Sequence, residues 1–201
     1  MFKLNLIGGE PCSGKSTIVK YIKEFKKVEI EFKYKKIVRG YHSKDNNYCI
    51  IGVYEGGIFD GTDRLSMSVQ PVLIEWIKEN KENYKNVYLE GDRVFKSSFI
   101  DSCKQILGEI NIIIIKTTEE NKKERHKLRE DNQSDKWLKA KKTSVYNIEN
   151  KYKTIIFNND SIIDKNEIAN RLLSKAVFEN YSEPIQKDMF DTIKPDDAAK
   201  F

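Results

Sequence analysis

The chain has 201 residues, 39% of them apolar, and a formal net charge of +5. That is enough for one domain with its own core, and no apolar run approaches the roughly 20 residues needed to span a bilayer, so no membrane partner is expected. Cys12, Cys49 and Cys103 share no metal-type spacing and His42 and His126 are the only histidines, which excludes a histidine-rich metal site and points to reduced thiols in a cytoplasm, the host's if the source is viral.

Residues 2–7 are short and rich in large apolar side chains, as a buried parallel strand requires, and no signal-peptide pattern precedes them. Next come Gly9, Glu10, Pro11, Cys12, Ser13, Gly14, Lys15, Ser16 and Thr17, which match G-x-x-x-x-G-K-[ST] at every fixed position. Glycines at both ends let the backbone curl with its N–H groups inward at a helix N-terminus, an anion nest. Lys15 can then reach β- and γ-phosphates while Ser16 offers its hydroxyl to Mg²⁺. ATP and Mg²⁺ are therefore the expected ligands. Ile18, Tyr21, Ile22 and Phe25 recur at helical spacing.

Residues 28–34 alternate as a strand with one wet face, and residues 37–42 and 48–54 read as the arms of a hairpin. Between residues 55 and 67, closely spaced glycines lie beside Thr62, Asp63, Arg64 and Ser66, a composition suited to an acceptor site; a plain hairpin-to-helix connection is the competing reading. Val72, Leu73, Trp76 and Ile77 mark a helix with Pro71 in its first turn. Residues 87–90 form a second buried strand ending in Glu90, Asp92 and Arg93, where ligands bind in open α/β sheets; an Arg93–Asp92 ion pair is the alternative there. A helix carries Phe99, Cys103, Ile106 and Leu107, and residues 110–116 form an isoleucine-rich central strand.

Thr117 and Glu120 are expected to form a capping box for the basic helix that follows. From residue 116 to 153 there are twelve Lys/Arg against seven Asp/Glu, a local excess of +5. Within it, Arg125 and Arg129 share a helix face, and Gln133 with Lys139 and Lys142 either faces an acceptor or lies on the surface. Trp137 is expected to anchor this helix in the core rather than to stack on a base. Residues 154–157 give another strand, and Ile168, Leu172, Leu173 and Ala176 a closing helix. The order implies an α/β fold with a mainly parallel sheet and helices on both faces. The stretch 180–201 loses periodicity.

With these motifs the chain resembles P-loop kinases of the nucleoside and nucleotide type, the thymidylate kinase group above all. Three marks carry the likeness: the loop 9–17, the Asp92-Arg93 element after a strand, and the run Arg125-His126-Lys127-Leu128-Arg129 after the isoleucine-rich strand. The resemblance implies a three-layer kinase domain over residues 1–179, with a hairpin insertion near 37–54, a basic lid near 122–142 and an extension over 180–201. It also implies roles. Lys15 would bind the terminal phosphates, Ser16 and Asp92 would hold Mg²⁺, and Asp92 or Glu90 would orient metal or acceptor. Arg93, Arg125 and Arg129 would place positive charge on the transferring group, and Thr62, Asp63, Arg64, Arg93 and Gln133 would bind the acceptor. The Gly-Thr-Asp-Arg-Leu-Ser and Asn-Gln-Ser stretches are similar to bacteriophage kinases that include those acting on 5-hydroxymethyluracil in DNA. A nucleotide-type small molecule or DNA is thus the expected acceptor, and a homodimer is compatible with the reading. A free deoxynucleoside monophosphate acceptor stays open, as does an NTP-hydrolysing switch.

Overall fold

The computed structural model describes residues 2–56, 59–130 and 133–173. Ala176 and the stretch 180–201 lie outside them. Strands β1 (Lys3–Gly8), β2 (Ile30–Tyr34), β3 (Val38–His42), β4 (Tyr48–Ile51), β5 (Asn86–Glu90), β6 (Asn111–Lys116) and β7 (Ile155–Asn158) build one sheet. Helices α1 (Lys15–Phe25), α2 (Val69–Asn80), α3 (Ser97–Leu107), α4 (Glu119–Arg129), α5 (Asp135–Lys151) and α6 (Ile162–Leu173) cover it. The sheet order is β2-β3-β4-β5-β1-β6-β7, with β4 through β7 parallel and β2–β3–β4 antiparallel.

The alternation of the strands sorts the core into two layers. Leu4, Leu6, Ile112 and Ile114 point to one face, where α2, α3 and α5 supply Leu73, Trp76, Phe99, Ile100 and Ile148. Ile7, Ile113 and Ile115 point to the other, against Ile18 and Ile22 of α1 and Leu172 of α6. Successive side chains on a strand face opposite ways, so an isoleucine run buried on both faces serves both layers. This is the three-layer arrangement that the sequence implies.

One expectation gains detail and one changes. The hairpin of β3 and β4 joins the main sheet: β4 pairs in parallel with β5, Cys49 opposite Val87 and Ile51 opposite Leu89. The cap of α4 is Thr118, whose side chain accepts from the Asn121 N–H at 3.2 Å. Thr117 instead donates to the Asn159 carbonyl at 2.9 Å and to Asp160 at 3.0 Å, tying the ends of β6 and β7 together. None of the described helices is long and apolar enough to cross a membrane.

The site follows from the topology. Strands β1 and β5 are neighbours, with Ile7 opposite Glu90, yet α1 leaves β1 toward one face and α3 follows β5 on the other. The crevice at such a divergence, outside the carboxyl ends of the strands, is where open α/β sheets take their ligands.

Candidate active site

The loop after β1 takes backbone conformations that its sequence is built for. Gly9 and Gly14 have φ of 143° and 91°, and Cys12 lies at 60°. A Cβ on Gly14 would stand 2.1 Å from Asn159 Nδ2. Gly14 is the N-cap of α1 and offers no side-chain cap, and the first turn holds no acidic residue, so the helix start keeps its amides and positive dipole end for an anion. Lys15 Nζ donates to the carbonyls of Gly9 at 3.0 Å and Glu10 at 2.9 Å, which holds the ammonium across the mouth of its own loop.

The loop is fastened from behind by residues distant in sequence. Asn159, just past β7, donates to the Ser13 carbonyl at 2.8 Å. Arg125 donates to Cys12 O at 3.2 Å and Asn159 O at 3.0 Å, and Lys122 reaches Glu10 at 2.9 Å. Arg125, expected near the transferring phosphoryl group, is therefore a strut of the loop and does not line the cavity.

A cavity of about 350 Å³ opens between the loop and the end of β5, within the size range of small-molecule sites. Pro11, Cys12, Lys15 and Ser16 form its floor. Asp63, Glu90, Asp92 and Arg93 form one wall, and Arg129 and Gln133 line the cavity as well. The structure thus brings together most of the residues expected at the site. Besides Arg125, two are elsewhere: Thr62 is fully buried and donates to the Glu90 carbonyl at 2.7 Å, and Arg64 turns outward to Glu55 at 3.4 Å.

Glu90 is the electrostatic centre. It is 1% exposed, and its Oε1 has no hydrogen-bond partner among the described residues. Burial lifts its carboxyl to about 7; the Lys15 charge and a hydrogen bond from Ser16 pull it down, while Asp63 and Asp60 push it up. Asp63 is also raised above its ordinary value, by burial first and by Asp92 second, although its Oδ1 accepts from the Arg93 N–H at 3.0 Å. Arg93 is fixed further through Nε to the Asp63 carbonyl at 3.0 Å and by a contact with the Met67 sulfur. The alternative of an Arg93–Asp92 ion pair gives way to another pairing: Asp92 pairs with Lys141 of α5 at 2.8 Å.

Several cavity residues add to the predicted set, three of them, Phe59, Asp60 and Met67, from within the 55–67 stretch. Asp60 lines it, with its other oxygen paired to Lys20 at 2.5 Å. Lys96, Lys141, Phe59 and Met67 also line it. Trp137, expected to anchor a helix in the core, is 36% exposed and faces the cavity. Lys122 and Asn159 are buried polar residues on separate elements, and only their places beyond strand ends β6 and β7 hint at a site role.

A family model described as P-loop Nucleotide Kinase3 matches residues 2–165. Among solved structures, a sugar kinase from Janibacter sp. HTCC2649 shares 14% identity, covering 86% of this chain and 93% of that chain, with a TM-score of 0.50. A gluconokinase from Sinorhizobium meliloti 1021 shares 12% identity over 86% of this chain and 95% of its own, with a TM-score of 0.45. A deoxyadenosine kinase from M. mycoides shares 14% over 85% and 98%, with a TM-score of 0.42. The sugar kinase likeness, at that identity, is one of fold. No curated protein sequence matches the chain.

Proposed function

The chain belongs to the P-loop nucleotide kinase family, and from that premise we propose that it moves the γ-phosphoryl group of ATP onto a hydroxyl of a pyrimidine-type acceptor, 5-hydroxymethyluracil in DNA being the acceptor we favour. The observation that carries this reading is Glu90, a buried carboxyl held near 7 beside Lys15 and Ser16. A hydroxyl must lose a proton as its oxygen attacks, and a base poised near neutrality suits that task. A phosphate acceptor arrives ionised and needs no base, and it would meet Asp63 and Asp92 in the cavity wall.

In the proposed reaction the loop amides and Lys15 hold the β- and γ-phosphates, which fixes the γ-phosphorus in line with an acceptor oxygen. The new bond joins that oxygen to γ-phosphorus, the bond to the β,γ-bridging oxygen breaks, ADP leaves, and the acceptor proton passes to Glu90. Arg93 and Arg129 supply positive charge along the cavity, which offsets the charge spread over the transferring group. Ser16 with the unpartnered oxygen of Asp60 is an oxygen-only donor pair of the kind Mg²⁺ prefers, so these residues would hold the ion and leave Glu90 to take the proton. Asp92, expected as a ligand, is occupied by Lys141. When bound, Mg²⁺ supplies charge neutralisation at the terminal phosphates.

Thymidylate-type transfer to a monophosphate is a second reading, favoured by the cations Arg93, Lys96, Arg129 and Lys141 around the cavity. One assay separates them. The protein is incubated with γ-labelled ATP and Mg²⁺ and offered DNA with and without 5-hydroxymethyluracil, free nucleosides, or deoxynucleoside monophosphates. Label on modified DNA alone is the expected result. Label on monophosphates alone overturns the acceptor assignment, and ATP consumption with no labelled acceptor turns the reading to a hydrolytic switch.

A further inference from the structure

The cavity mouth holds three large apolar side chains that the phosphoryl-transfer chemistry does not use. Phe59 is 51% exposed, Met67 83% and Trp137 36%, and all three line the cavity that contains Lys15. An apolar patch at the rim of a concave site marks an interaction surface. Each of the latter two is held by the acceptor wall. The Trp137 ring lies 5.1 Å beneath Lys141 Nζ, whose ammonium also pairs with Asp92, and Met67 touches the Arg93 guanidinium. Trp137 sits in the first turn of α5, its N–H bonded to Ser134 at 3.3 Å, so the ring rides on a capped helix rather than on a loop.

Cations stand beside this surface: Lys96, Arg129 and Lys141 line the same cavity. A flat aromatic face and a thioether flanked by positive charge match a ligand that is itself aromatic and joined to phosphate. We propose that Trp137, with Phe59 and Met67, is a stacking platform for the acceptor's nucleobase, and that the neighbouring cations hold the sugar-phosphate chain leading to it. This rests on the nucleobase-type acceptor of the preceding section and assigns the side chains that grip it. Base–aromatic stacking is tolerant of sequence because every base has a π face, so the platform sets the class of ligand and leaves the choice of reacting hydroxyl to the Glu90 wall.

The test needs neither ATP nor transfer. The chain has two tryptophans, and Trp76 is 2% exposed and stacked on Phe32 at 5.6 Å between centroids, so quenching by an added base reports Trp137. The intact protein is titrated with a single-stranded oligonucleotide containing 5-hydroxymethyluracil, with a chain of abasic sugar-phosphate units of the same length, and with free 5-hydroxymethyl-2′-deoxyuridine. Saturable quenching by the base-bearing oligonucleotide and not by the abasic chain is expected. The free nucleoside should quench at higher concentration if the cations contribute to the polymer, and at equal concentration if the ligand is the monomer. Trp137→Ala should weaken oligonucleotide binding, read by anisotropy of a labelled strand, roughly 5- to 150-fold, and Trp137→Tyr should restore most of it. A thermal melt checks that both variants fold. Equal affinity of Trp137→Ala and the native protein, or equal binding of the abasic chain, overturns the platform. If a Trp137→Ala protein of unchanged affinity still labels modified DNA, the platform fails and the acceptor assignment stands. Base-dependent quenching with no labelled DNA has the opposite meaning: the platform stands and the acceptor assignment fails.

Discussion

Replacing Glu90 with glutamine should make the protein more stable and nearly inactive. The carboxyl is held at about 7 against an ordinary 4.5, so above neutrality the fold keeps a charge in a place that resists it. A displacement of two and a half units is worth about 3 kcal/mol at 1.36 kcal/mol per unit. The sign follows from linkage: a group whose folded value is raised favours the native state at low pH and loses that advantage as pH climbs through the folded value. Native stability relative to Glu90→Gln should therefore fall by roughly 2–3 kcal/mol between pH 5 and pH 8. Urea unfolding of both proteins across that range measures the difference directly. In parallel, kcat/KM of the native enzyme should rise through about pH 7, and the variant should lose on the order of 100- to 10,000-fold in turnover. A stability difference that does not change with pH, or one that grows in favour of the native protein at high pH, would falsify the placement of an ionisable Glu90 in a dry site.

Lys15→Ala should cut turnover at least about 100-fold while circular dichroism stays native, because among the described residues the ammonium donates to the loop carbonyls of Gly9 and Glu10 and to no core element; retained turnover would remove the loop from the chemistry. Asp92→Asn should lower kcat more than ATP affinity, with a stability change under about 1 kcal/mol since the pair with Lys141 is partly exposed; an equal loss in ATP binding by calorimetry would argue otherwise. Asn159→Ala strands the buried Ser13 carbonyl and should cost about 1–3 kcal/mol and weaken ATP binding, both checked by denaturation and calorimetry. Gly61→Ala, at φ 77° and with its new methyl 2.2 Å from Glu90 Oε1, should destabilise by about 1–3 kcal/mol and slow transfer; a melt matching the native one would show that Glu90 has room to move.

Most strands and helices are legible in the sequence because burial on two faces leaves a plain trace, as in the isoleucines of 112–115, and the phosphate loop announces itself by residue type and setting. The end of β5 is readable for the same reason, since chemistry gathers where parallel strands stop. Pairing partners are not. Nothing local in residues 48–51 says that β4 will lie parallel to β5, because that register is set by strands 38 residues apart. The shift of the α4 cap from Thr117 to Thr118 turns on which of two adjacent hydroxyls is claimed by Asp160, a residue 43 positions away. Arg125 and Arg129 share a helix face in sequence, yet one braces the loop and the other lines the cavity, a distinction made only by where α4 docks. Trp137 departs from expectation because an aromatic at helical spacing is most often core, and its exposure depends on the cavity beside it.

The struts behind the phosphate loop come from α4 and from the residue after β7, more than a hundred positions downstream of the amides they steady. Closing contacts over such separations comes late in folding, since chain entropy opposes them until the intervening layers have assembled. The shape of the phosphate loop is thereby tied to completion of the architecture: a partly assembled chain carries the glycine-rich signature but lacks the brace that shapes it.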